Sequence, residues 1–75
     1  MLSLEVALRI REAVAAGGSA LEEILPESSF HTVRNPYAHI WRHIKKEMGK
    51  SYLKCDDEDE ERILELVRYC VNNPC

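Results

Sequence analysis

The sequence predicts an all-α fold: a compact bundle of four or five short helices around one core. Apolar residues recur at i, i+3, i+4 and i+7 in several separate stretches, which is helical rather than strand spacing. Residues that cap helices stand at the starts of these stretches, and glycine or proline stands after them. One stretch, Asn35 to Gly49, combines all the signals. Asn35 is an N-cap whose side-chain oxygen accepts from an orphan amide of the first turn. Pro36 fits the first helical position, and Gly49 suits the left-handed residue that closes a helix.

The first element is a helix over Met1 to Ala16, capped by Ser3, with Leu4, Ala7, Leu8, Ile10, Ala13 and Val14 as a broad apolar stripe. Gly17 and Gly18 are expected to end it. Ser19 then opens a second, two-turn helix. With Glu22 it forms a capping box; Leu21, Ile24 and Leu25 are the apolar side, and Pro26 limits the length. Between Pro26 and Arg34, Ser28 or Ser29 caps a short turn that carries Phe30 and Val33 inward. Asn35-Pro36 interrupts it, because a residue before proline avoids the α region. A kinked continuous helix from Ser29 to Met48 is the alternative.

The central helix follows. Tyr37, Ile40, Trp41, Ile44 and Met48 share one face, with Trp41 expected at the centre of the core. His39, Arg42, His43 and Lys46 share another, with Lys45 beside them. Lys50 to Cys55 is a connection in which Tyr52 and Leu53 dock on the core, or a short strand in need of a partner. The acidic run Asp56 to Glu61 is expected to start the last helix. Carboxylates favour a helix N-terminus, Asp57 and Glu60 have capping-box spacing, and Ile63, Leu64, Leu66, Val67, Cys70 and Val71 follow in helical period. Asn72, Asn73 and Pro74 stop it.

Seventy-five residues, 1–75, make one domain. A chain of this size buries only about 60% of its unfolded surface, so a homodimer or a bound partner would help it. No apolar run approaches the length of a membrane span, and no basic segment followed by an apolar one marks a secretory signal. The expected setting is the cytoplasm, a nucleoid or a nucleus. Three cysteines without a framework spacing read as reduced thiols. The net charge of −3 conceals a segregation. From His31 to Lys54 six lysines and arginines stand with the single acid Glu47, a net +5, and the remainder is −8.

The residues do not form an enzyme constellation, and they imply no cofactor. His39 and His43 have the i, i+4 spacing of a helical metal site but lack the glutamate of H-E-x-x-H. A site that adds Cys55 or Cys70 stays open as a minor alternative. The acidic run lacks the glycine of a calcium loop. Phe30, Tyr37 and Trp41 are either core or a stacking platform for single strands; their helical spacing favours core. The basic face is either solvated or a contact for phosphates and base edges.

Ser29-Phe30-His31-Thr32-Val33-Arg34-Asn35, followed by His39-Ile40-Trp41-Arg42-His43-Ile44, resembles the recognition-helix segment of LuxR/GerE-type helix-turn-helix domains. The resemblance implies a helix-turn-helix-like fold and DNA binding, with Ser29, Thr32, Arg34, Asn35 and His39 near the groove. The basic helix adds Arg42, Lys45 and Lys46. The expectation is therefore a small regulatory domain that binds nucleic acid through its central helix. The alternative is a non-enzymatic protein-interaction module, an adaptor or inhibitor, whose basic helix meets an acidic protein partner.

Overall fold

Gly17 and Gly18 do not end the first helix. In the computed structural model, which describes residues 1–24 and 35–73, helix α1 runs unbroken over Leu4–Ile24. Each glycine costs a helix interior about 1 kcal/mol relative to alanine, so something outside the helix must favour them. The neighbours are visible. A β-carbon on Gly17 would stand 3.1–3.2 Å from methyl groups of Val67, Ile40 and Val71. One on Gly18 would enter the ring of Tyr37, 2.8 Å from Cγ and nearer still to two other ring carbons. At this pair two other helices approach α1 closely. Ser19 is therefore an exposed mid-helix residue rather than the cap of a second helix.

Two further helices follow, α2 (Pro36–Met48) and α3 (Glu60–Asn72). Between them lie two 3₁₀ turns, Tyr52–Lys54 and Asp57–Asp59. The described residues contain three α-helices and no strand, so Tyr52 and Leu53 belong to a turn. The turn expected around Ser28 and Ser29, with Phe30 and Val33, lies outside the described residues, as do Leu25, Pro26, Pro74 and Cys75.

Contacts fix the topology. Arg9 meets Glu60 and Gly17 meets Val67 and Val71, so α1 and α3 run parallel. His43 stacks on Tyr69 while Glu47 approaches Arg62 at 4.0 Å, so α2 runs against α3 and hence against α1. The result is an up-down-up bundle of 40 × 21 × 16 Å.

The core threads its axis. α1 contributes Val6, Ile10, Val14 and Leu21, α2 Ile40 and Ile44, and α3 Ile63, Leu66, Val67 and Cys70, with Cys55 from the connection. The α1 positions step by four residues, then pass over the two glycines to Leu21. Leu4 and Leu8, expected in the stripe, lie outside it at 76% and 48% exposure, because the buried face centres on Ile10 and Val14. Trp41 is not the centre of the core. Ile40 and Ile44 are fully buried there, and Trp41 is only half-buried against them, one residue further round the helix.

The cap expected at Asp57 does not open α3: α3 begins at Glu60 with no side-chain cap bond from Asp59, and the capping box belongs to the preceding 3₁₀ turn Asp57–Asp59. Asp59 Oδ2 accepts from the Asp56 N–H at 3.0 Å, so the capping box joins Asp56 and Asp59, not Asp57 and Glu60. Asp57 is engaged elsewhere: its Oδ1 accepts from the Ser3 N–H at 2.6 Å. Ser3 does cap α1, its Oγ accepting from Val6 N–H at 3.3 Å.

Candidate nucleic-acid interface

Helix α2 has the bounds its local signals dictate. Asn35 is extended (φ −136°, ψ 98°), and its Oδ1 accepts from the amides of Tyr37 and Ala38, each at 3.1 Å. Gly49 takes φ 75° and donates its N–H to Lys45 O at 2.9 Å, a conformation that glycine adopts without strain. Lys45 and Lys46 fall in the last turn, where cations offset the negative end of the helix dipole.

The outer face of α2 presents Arg42, Lys45 and Lys46, all exposed, with His39 half-buried beside them. Among the described residues the side-chain ion pairs are Arg9–Glu60 and Arg62–Glu47, and none involves these three cations. His43 has left this face. Its ring stacks on Tyr69, with centroids 5.4 Å apart and planes 13° off parallel, in the seam between α2 and α3. Of the residues expected at the groove, Asn35 is engaged as a cap and Ser29, Thr32 and Arg34 lie outside the described residues.

Asp56, Asp57, Asp59 and Glu60 of the acidic run are engaged within the molecule, while Glu58 and Glu61 stand exposed. Asp56 pairs with the amino group of Met1, Asp57 with the Ser3 amide, and Glu60 with Arg9 Nε and a terminal guanidinium nitrogen at 2.6 and 3.1 Å. The Met1 ammonium holds the Asp56 carboxyl below its ordinary range, and Arg9 does the same for Glu60. These groups turn toward α1 and strap its first turns to α3.

Tyr37, Cys55 and Cys70 serve the fold. Burial, and then the Glu22 carboxylate, push the Tyr37 hydroxyl above its ordinary value, consistent with a ring seated on α1. Cys55 and Cys70 are buried free thiols, both pushed up by desolvation. Among the described residues no three His, Cys, Asp or Glu side chains gather as a metal site, so His39 and His43 are not joined there by a third ligand. No helix of the described residues is long and apolar enough to cross a membrane.

The sequence did not reveal what lies next to the cations. The rings of Trp41 and Tyr52 sit with centroids 4.5 Å apart, tilted by 33°. Trp41, Ile44, Lys45, Ser51 and Tyr52 line an open cavity of about 270 Å³. Lys45 thus belongs both to the basic face and to the cavity wall. Tyr52 lies in a connection without periodicity, so no sequence pattern pairs it with Trp41.

Compared with known proteins, the chain matches no family model, no curated protein and no solved structure.

Proposed function

We infer that the chain binds nucleic acid through the outer face of α2. The observation that carries the reading is the different fate of the two charge blocks. Two carboxylates of the acidic run are paired with cations of the same molecule, Asp56 with the Met1 ammonium and Glu60 with Arg9, and Asp57 accepts from the Ser3 amide. Arg42, Lys45 and Lys46 stand exposed on one helix without an acidic partner among the described residues. Cations so placed are available to phosphates, and the local field favours a polyanion despite the overall charge of −3.

The side of the helix makes this contact, not its first turn. A helix-turn-helix domain reads base edges with the N-terminal residues of its recognition helix. Here Pro36 is buried and the Asn35 oxygen is engaged with two amides. Phosphate contact along Arg42, Lys45 and Lys46 fits the available groups better than base reading by Asn35.

The test is a titration of labelled duplex and single-stranded oligonucleotides at several salt concentrations, with the wild type and with Arg42→Ala/Lys46→Ala. On duplex each lost phosphate contact removes about 0.9 from the slope of log K against log salt, so the double variant flattens it by about two units. Its melting temperature should hardly move, because both side chains are exposed. Binding that survives the double substitution would place the contact elsewhere.

Leu4 and Leu8, exposed one turn apart on α1, favour a second reading, a protein-interaction module. If no nucleic acid binds at low salt, where electrostatic attraction is strongest, that reading takes its place.

A further inference from the structure

We propose that the open cavity beside the Trp41–Tyr52 ring pair receives an unpaired base, which makes the ligand of the α2 face a single-stranded nucleic acid. The proposal rests on the reading of α2 as a phosphate-binding surface and names which class of polyanion it takes.

The geometry carries the argument. A tryptophan at helical spacing with Ile40 and Ile44 ought to complete the core, yet Trp41 is half-buried and leaves the central positions to those isoleucines. Its neighbour Tyr52 is also half-buried, and the two rings adjoin an open cavity rather than closing over one. Aromatic faces next to cations are how proteins hold single strands, because every base has a π-face and every linkage a phosphate.

The cations are in the right places for that chemistry. Lys45 lines the cavity itself. Arg42 and Lys46 lie further round the exposed face of α2, and Lys54 follows Tyr52 in the connection. A base between the rings and Lys45 would leave its flanking phosphates against these side chains.

Size and access decide between strands. The volume of about 270 Å³ falls just short of the roughly 300–1,000 Å³ of pockets that enclose whole small molecules, so it suits one base whose sugar and phosphate stay outside. In a duplex the base faces are covered by stacking on their neighbours. A recessed notch on a helix side can reach them only when the base is splayed out, as in single strands and loops.

Trp41 is the only tryptophan in the chain, so its fluorescence reports on this site alone. The experiment titrates the wild-type protein at low salt with a short oligothymidylate and with an abasic strand of equal length and backbone charge. Stacking predicts quenching by the first strand and about tenfold or greater preference for it, the scale seen when a base loses one aromatic partner. Equal affinity for the two strands, or unchanged Trp41 emission at saturation, overturns the proposal. If Arg42→Ala/Lys46→Ala still abolishes that equal binding, the phosphate-binding reading survives without the base pocket. Absence of binding to either strand removes both. A second variant, Tyr52→Leu, keeps the reporter. It should weaken oligothymidylate about tenfold and leave the abasic strand unchanged. Equal weakening of both would show a merely structural role for Tyr52 and also overturn the base pocket.

Discussion

The ring of Tyr37 fills the space that a β-carbon on Gly18 would occupy. This contact sets how closely α1 and α2 approach. Gly18→Ala therefore forces the ring or the helix to move, at an overpacking cost of about 1–3 kcal/mol. The gain in helix propensity offsets roughly 1 kcal/mol of that. The net expectation is a lower melting temperature by circular dichroism. Gly17→Ala should be nearer neutral, since its β-carbon meets methyl groups that need shift only by a few tenths of an ångström. A Gly18→Ala protein more stable than the wild type would show that the ring is not held there.

Ile40 and Trp41 make a matched pair of substitutions. Ile40 is fully buried, and Ile40→Ala should cost about 2–5 kcal/mol. Trp41→Leu keeps apolar contact with the core and loses mainly the ring pair with Tyr52, worth about 0.5–1.5 kcal/mol. Denaturant unfolding should rank Ile40→Ala as much the less stable. The reverse order would put Trp41 at the centre of the bundle after all.

Acid should loosen the strap between α1 and α3. Asp56 and Glu60 have carboxyls held below their ordinary values in the folded state. Their contribution to stability is thus complete above the unfolded values, near pH 4, and disappears as pH falls through the depressed folded ones. Arg9→Met removes the first cause of the Glu60 depression, so its stability should fall less steeply between about pH 4 and 2. Melting temperatures across that range measure the slope. Identical acid limbs in the two proteins would show that the Arg9–Glu60 pair contributes nothing in solution.

The buried thiols give a kinetic readout. Desolvation raises both Cys55 and Cys70, and neither is exposed to reagent. Both should react with a thiol-specific disulfide reagent only as fast as the bundle opens, and at once in denaturant. Rapid labelling of Cys55 under native conditions would mean that the connection after Tyr52 opens locally.

The legible parts of this fold are those whose signals are local. Asn35, Pro36 and Gly49 each act on the backbone within one turn, and α2 begins and ends where they require. Glycine is different, because it serves equally to stop a helix and to admit a neighbour. At Gly17 and Gly18 the deciding neighbours are Tyr37, Ile40 and Val67, far away in sequence. Adjacent apolar residues pose the same difficulty: the spacing of Ile40 and Trp41 puts both on the inner side of α2, and only the packing of α1 and α3 decides which points to the axis. Asp57 illustrates a third limit. Its spacing to Glu60 suits a capping box, but Asp57 lies inside the 3₁₀ turn that Asp56 opens, and its carboxylate accepts from Ser3. In the candidate site, the cations Arg42, Lys45 and Lys46 could be read from helical spacing, whereas Tyr52 reaches Trp41 through a turn that leaves no periodic trace.

The parallel pairing of α1 with α3 also bears on how the chain folds. Arg9 and Glu60 are 51 residues apart in sequence, and Ser3 and Asp57 are 54 apart. Contacts of such span raise the contact order above that of a simple helical hairpin, and folding rates fall as contact order rises. An isolated 21-residue helix containing two glycines has little stability of its own. During synthesis α1 is made before α3, the helix it pairs with. Val6, Ile10 and Val14 remain without the α3 side of their core until Ile63, Leu66 and Val67 have been made.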